Sequence, residues 1–341
     1  MKAPKVSILI VNYNGKKWLQ GCLDSLFAQT CQDFEIILVD NASSDDSVEF
    51  VNAGYPDVRI ISNTENLGFA GGNNAGIKEA KGLFVLLMNN DTVTEPDYLE
   101  RLLEAFDEIP SLGAASSKIV LMDDRNKLDL CGAYWTDLTF LYFYGFHKQA
   151  SAEQYNRSQP VFSNQGVSML IRKDVLDEVG FFDEDFWCYY EETDLCHRIW
   201  LAGYECWYYP QAVIYHAVGE TSSGFENSFI QYHNIKNMLM SFIKNFEAKT
   251  LLRVVPLFIT SNLLLSLVWL LQGKFKHSLA VLKALSWNVT NLKANLRKRK
   301  RIQTSRKITD RELFSVVKRN PRPSYYLMAI TGIRNLERYE D

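Results

Sequence analysis

The chain has 341 residues, 47% of them hydrophobic and 23% charged, which excludes a disordered polymer and leaves room for two or three domains or one large one. A formal net charge of −3 conceals a split: residues 1–240 hold 17 Lys and Arg against 34 Asp and Glu, whereas residues 241–341 hold 20 against 6. Six cysteines with no CxxC pair and no zinc spacing exclude a disulfide-rich scaffold and a zinc finger, and fit reduced thiols in the cytosol.

The N-terminal run KVSILIVN is too short for a signal peptide and reads as a first strand. Further apolar, β-branched runs follow at EIILVD (35–40), VRIIS (58–62) and FVLLMN (84–89). Between them lie the helix-like stretches KKWLQGCLDSLFAQ, DSVEFVNAG and GGNNAGIKEAK. Strand–helix alternation with nearly continuous apolar strands predicts a mainly parallel sheet covered by helices. Ligands of such sheets sit at the carboxyl ends of the strands. Those ends read Asn12-Tyr13-Asn14, Asp40-Asn41, Ser62-Asn63 and Asn89-Asn90-Asp91.

Beyond residue 113 the pattern is less regular and rich in aromatic residues, as in FLYFYGF (140–146). A strand is expected at GVSMLIR (166–172), a helix from Glu191 to Gly203, and a strand pair at ECWYYP and AVIYHA. The last hundred residues read as helical. They include an uncharged stretch of 18 residues, 254–271, interrupted by Pro256 and Asn262, and the run RKRKR at 297–301.

Several polar groups admit both a structural and a chemical reading. Asn89-Asn90-Asp91 is either a polar turn or an oxygen ligand for a divalent cation at Asp91, with Asn89 near a ribose or water. The three glycines of ENLGFAGGNNAG (65–76) suit close approach of the backbone to a ligand. A dinucleotide fingerprint would place its glycines after the first strand, where NYNGKKW stands instead. Glu191, Glu192 and Asp194 open a helix, where the helix dipole favours acidic residues and Asp194 can pair with Arg198. Two preceding aromatic residues also make a carboxylate there a candidate base. His216 ends an apolar run and is either structural or a ligand.

Taken in order, VSILIVNYNG, LVDNASSDDS, ENLGFAGGNNAG, LLMNNDT and FFDEDFWCYYEETDLCHRI resemble the family 2 glycosyltransferases, in particular the bacterial rhamnosyltransferase-like branch. The resemblance spans about residues 5–220. It implies an α/β GT-A fold and inverting transfer of a sugar from a nucleoside diphosphate. It places Asn12, Tyr13, Asn14 and Asp40 around the nucleotide base, and Asn66, Gly68, Asn73, Asn89 and Asn90 along the ribose, diphosphate and sugar. Asp91 matches the last, metal-binding carboxylate of the family's DxD motif, with Asn89 in place of its first Asp. His216 falls where some relatives carry a further ligand to the divalent metal, Mn2+ or Mg2+. Glu192 takes the position of the catalytic base in place of Asp, with Glu191 beside it and Asp194 in reserve.

Residues 1–115 are then expected to form the donor-binding half and 116–240 the acceptor and base half, with 241–341 a helical, basic, membrane-associating extension. That extension is expected to meet anionic lipid rather than nucleic acid, lying in the interface on the cytoplasmic face of the cell membrane. The donor implied by the resemblance is dTDP-L-rhamnose and the acceptor a lipid-linked or cell-surface glycan. A UDP-sugar donor and a non-catalytic scaffold with a degenerate site stand as alternatives.

Overall fold

Seven residues, Val6–Asn12, form β1, buried on both sides along most of its length. The computed structural model describes residues 3–218 and 226–326. After β1 come α1 (Lys16–Phe27), β2 (Phe34–Asp40), α2 (Ser47–Gly54), β3 (Arg59–Ser62), α3 (Gly68–Glu79) and β4 (Phe84–Asn89). Next follow β5 (Thr92–Thr94), α4 (Tyr98–Glu108), β6 (Leu112–Leu121), the hairpin of β7 (Ala133–Trp135) and β8 (Leu141–Phe143), and the short β9 (Gln159–Pro160). The body is completed by β10 (Ser168–Arg172), α5 (Lys173–Val179), α6 (Glu191–Leu201) and β11 (Glu205–His216). Then come α7 (Asn227–Asn245), α8 (Ala248–Leu271), α9 (Phe275–Thr290), α10 (Leu292–Ser305) and α11 (Asp310–Val317).

The main sheet runs β3-β2-β1-β4-β10-β6-β11-β5. Because β1 is parallel to β2 and to β4, Asn12, Asp40 and Asn89 emerge at one edge. The chain leaves β1 toward β2 on one side and β4 lies on the other, so a crevice opens beyond Asn12 at the switch in strand order. Alternation along β1 sends Ile8 and Ile10 into the layer with α1 and α4, and Leu9 into the layer with α3, α6 and α7. Both layers are apolar, which is why these strands read as continuous hydrophobic runs.

One expectation changes. ECWYYP and AVIYHA are not a strand pair but one strand, β11, whose pairing with β6 shifts register between Tyr209 and Val213. Pro210 has no N–H to give the ladder, and the bulge absorbs that loss.

The C-terminal helices pack on the body. Phe242 and Phe246 surround the buried Trp135 at ring distances of 5.3 and 4.9 Å, and Phe258 of α8 meets Phe242 edge to face. On α8 the buried residues are Val254, Phe258, Asn262 and Ser266, spaced four apart along a single narrow stripe. Pro256 faces outward and does not end the helix, since the carbonyl it deprives belongs to Leu252, itself 80% exposed.

Candidate active site

The strand ends are knitted together before any ligand is considered. Asn12 is fully buried; its Nδ2 donates to Asp40 Oδ1 at 3.3 Å and to Ser43 Oγ at 3.1 Å, and its Oδ1 accepts from Asn90 Nδ2 at 2.7 Å. The second oxygen of Asp40 accepts from Ser43 N at 3.0 Å. Asn14 ties the neighbouring loop by accepting from Ser44 N at 2.7 Å. Asn12 and Asp40 thus spend their polar atoms on the frame of the crevice, and neither they nor Asn14 is among the residues that line it. Asn41, one residue beyond Asp40, reaches the wall in their place, together with Tyr13.

The glycine-rich segment does make a close backbone approach, but to the chain itself. Gly68 has φ of +68°, and a Cβ there would sit 2.4 Å from the Trp187 carbonyl oxygen, so only glycine permits this approach. Asn66 Oδ1 accepts from Gly68 N, and Asn41 Nδ2 donates to Gly68 O, both at 2.9 Å. Asn73, expected beside the diphosphate, is buried in α3 and spends its Nδ2 on Phe69 O at 2.9 Å, one turn back. It supports α3 and does not face the cleft.

Asp91 lies just past β4 and is 6% exposed. Its Oδ1 is 3.3 Å from His216 Nε2, and Nδ1 of the same ring is 2.9 Å from Asp129 Oδ2. Burial alone would push this imidazole down, but hydrogen bonds and charge from Asp129 and Asp91 outweigh it and raise His216 to about 9. Among the described residues no three Asp, Glu, His or Cys side chains gather around one point. With the Nε2 proton displaced by the metal, one oxygen and one nitrogen ligand would fit a cation whose other positions are filled by phosphate and water, as those of Mn2+ and Mg2+ commonly are.

Glu191 and Glu192 are the first two residues of α6 and both line the cleft. Burial, and for Glu191 the neighbouring charge of Glu192, raises both carboxyls. Glu191 is 5% exposed and its Oε2 has no hydrogen-bond partner among the described residues. Asp194 corrects the expectation that it could stand in as the base. It is wholly buried one turn on, with Oδ2 3.0 Å from Arg198 Nε, Oδ1 3.1 Å from Lys244 Nζ, and Asn245 Nδ2 donating at 2.8 Å. Although burial opposes it, these cations hold its carboxyl far below the usual carboxylate range. A carboxylate so held is a poor proton acceptor.

The cleft encloses about 410 Å³ and joins Asn66, Gly68, Asn89, Asn90, Asp91 and His216 with Glu191 and Glu192. Phe69, Gln165, Gly166, Trp187, Cys188 and Tyr189 complete it and were not expected from the sequence. The adjacency of Trp187 to the acidic cluster was the available signal. Asp129 carried none, lying in an irregular segment 87 positions from His216.

The cleft can seat an anionic ligand against amides and a cation, with carboxyls of raised proton affinity on the same wall. Comparison with known proteins gives the fold and the family. Poly-beta-1,6-N-acetyl-D-glucosamine synthase from Staphylococcus epidermidis is 28% identical over 64% of the chain and 51% of its own length. The synthase of the same name from Staphylococcus aureus strain COL is 25% identical over 77% of the chain and 62% of its own length. The chain therefore spans between half and two thirds of these relatives. Among solved structures, GalNAc-T7 with UDP, GalNAc and Mn2+ superposes with a TM-score of 0.57 at 14% identity, over 73% of this chain and 49% of that one. Mannosyltransferase PcManGT from Pyrobaculum calidifontis with GDP-Man and Mn2+ gives 0.51 at 17% identity over 89% and 86%, and S. aureus TarS with UDP gives 0.51 at 15% identity over 72% and 68%. The fold is the GT-A fold of these transferases. Residues 7–180, just over half of the sequence, match the model described as glycosyl transferase family 2, and the chain belongs to that family.

Proposed function

We propose that the protein transfers a sugar from a nucleoside diphosphate to a glycan hydroxyl with inversion, Glu192 acting as general base. The supporting observation is the meeting, on one cleft wall system, of Glu192 with the Asp91–His216 pair at the carboxyl ends of the parallel strands. Glu192 takes the acceptor proton; its raised proton affinity makes it a stronger base than a solvated glutamate. Burial and the charge of Glu192 raise the proton affinity of Glu191, which disfavours a second negative charge beside the donor. Asn41, Asn66 and the backbone at Gly68 bind and orient the donor. A divalent cation on Asp91 and His216 would offset charge on the departing diphosphate. In this reading residues 1–115 serve the donor and 116–240 the acceptor and base.

The donor proposed is a UDP-sugar. The named product of the curated relatives is a polymer of N-acetylglucosamine, and two of the structural neighbours hold UDP. Nothing in these comparisons favours the dTDP-L-rhamnose implied by the sequence motifs. Thermal unfolding with UDP, dTDP and GDP, each with and without Mn2+, separates the readings. Saturation at a hundred times the dissociation constant stabilises by about 2.7 kcal/mol. A metal-dependent gain with UDP supports the proposal, a gain confined to dTDP restores the rhamnose donor, and no gain with any nucleotide defeats the donor site.

The same reading places the protein at an anionic membrane surface. By length and composition α8 could cross a membrane, with mean hydropathy 2.1 and 22% of its apolar window buried. Its packing against the body through one stripe favours lying in the interface with Leu264, Leu267 and Leu271 outward. The basic run divides. Lys298 pairs with Asp183 and Asp185, and Arg299 donates to the Ile243 and Phe246 carbonyls, so both serve the fold. Arg297, Lys300 and Arg301 remain exposed and face outward for lipid.

A further inference from the structure

The turn that leads into α6 follows backbone that bulky side chains avoid. Trp187, Tyr189 and Tyr190 have φ of 65°, 68° and 71°, in the left-handed region that aromatic residues seldom enter. Such a path persists only where the surroundings over-determine it. Buried carbonyls also need donors, and here one helix supplies them. From α7, Lys236 Nζ donates to Asp185 O at 2.6 Å and His233 Nδ1 lies 3.3 Å from Phe186 O. Asn237 Nδ2 lies 3.1, 2.8 and 2.6 Å from the carbonyl oxygens of Phe186, Cys188 and Tyr189.

Asn237 is fully buried. An amide nitrogen carries two protons, so three carbonyls share them around one atom. Its Oδ1 is buried without a hydrogen-bond partner among the described residues. Turning the amide over would set that oxygen against three carbonyl oxygens, so the donor side is locked on the turn. From the other side, Trp187 O accepts from Ala70 N at 3.1 Å and Trp187 Nε1 donates to Asn66 O at 3.3 Å. The turn is therefore clamped between the start of α3, on the donor side of the cleft, and α7.

We propose that Asn237 is a positioning residue for the general base, fixing the 186–190 turn so that Glu191 and Glu192 are delivered to the cleft wall. The inference rests on Glu192 being that base. Glu192 follows the Tyr189 carbonyl by three residues with only one left-handed residue and one helical residue between, so slack at Tyr189 reaches the carboxyl directly. The region after residue 226 is thus part of the catalytic apparatus as well as a candidate lipid contact.

The test compares the full chain with Asn237→Asp, which keeps the shape but trades the two N–H donors for a carboxyl with at most one, and Asn237→Ser, which keeps one donor. UDP released from UDP-N-acetylglucosamine with Mn2+ is followed from pH 5 to 9, and binding of UDP with Mn2+ is measured beside it. The expected result is a kcat about 10²-fold lower for Asn237→Asp, the scale of a misplacement near 1 Å. UDP affinity should stay within threefold, and Asn237→Ser, which adds no charge, should fall between in kcat with its acid limb moved down toward the usual glutamate range. Turnover within threefold of the unchanged protein overturns the proposal, as does a loss of UDP binding equal to the loss of turnover. Should Asn237→Asp not fold, Asn237→Ser carries the same comparison. If the unchanged protein neither binds UDP nor releases it with water as the acceptor, the donor assignment fails separately. Carbodiimide labelling of Glu191 and Glu192 against pH then decides: an unchanged midpoint in Asn237→Ser overturns the positioning role, and a lowered one supports it.

Discussion

Asp129 holds His216 by its Nδ1 at 2.9 Å, leaving Nε2 aimed at Asp91 from 3.3 Å. A carboxylate behind a histidine fixes its ring orientation and tautomer and strengthens it as a ligand. Asp129→Asn should therefore weaken Mn2+ binding by roughly 10–100-fold while Asp91 and His216 are untouched. Calorimetric titration of Mn2+ in the presence of UDP measures it. Equal affinity in the variant would show that Asp129 orients nothing.

Glu192 gives the pH dependence its sign. A general base works deprotonated, and burial lifts this carboxyl to about 7 against ~4.3 for a solvated glutamate. The rate of sugar transfer should climb as pH rises through neutrality and level off above it. Glu192→Gln should lower kcat by about 10²–10⁴-fold at pH 8 and leave UDP binding unchanged. A rate already flat from pH 5 upward would assign the proton transfer to another group.

How much of this could be read in the sequence depended on how local each signal was. Buried parallel strands announce themselves as apolar runs, and of their polar ends Asn89, Asn90 and Asp91 line the cleft. Gly68 was visible because close backbone approach selects glycine. The failures were questions of facing and distance. Asn12 and Asp40 end strands as expected, but nothing in a one-dimensional pattern says whether a side chain braces a wall or lines it. Asn237 looks like any polar residue on a long helix. Lys298 and Lys300 are indistinguishable within RKRKR, yet one is paired with Asp183 and the other exposed. Pro210 read as the end of a strand because its bulge is made by pairing with β6.

Asp194 should prove to be a residue of stability and not of turnover. It faces Arg198 and Lys244 with no exposure to water. Removing one charge of a buried network strands the others, at a cost of about 3–5 kcal/mol. Asp194→Asn should show that loss in urea unfolding while the folded fraction keeps kcat within threefold. Its depressed carboxyl contributes stability above the unfolded value of ~3.9 that is lost as pH falls toward the native one. The gap between the two proteins should accordingly narrow in acid. A kcat loss matching that of Glu192→Gln would return Asp194 to the list of bases.

The outward face of the C-terminal helices makes a separable prediction about membranes. Arg297, Lys300 and Arg301 are exposed on α10, where Leu292 and Leu296 are exposed as well, and Leu264, Leu267 and Leu271 are exposed on α8. Each basic residue near an anionic bilayer contributes about 1 kcal/mol. Replacing all three with Ala should lower partitioning onto phosphatidylglycerol-containing vesicles by roughly a hundredfold, and raised salt should erase most of the difference. Leu264→Glu with Leu267→Glu should reduce binding at any salt, since the apolar contribution is unscreened. Lys298→Ala, by contrast, should cost stability through Asp183 and Asp185 and leave lipid affinity nearly unchanged. Sedimentation with anionic and neutral vesicles reads all four proteins. Equal binding to both lipids, or none to either, would leave the exposed leucines to a protein partner and remove the membrane from the account.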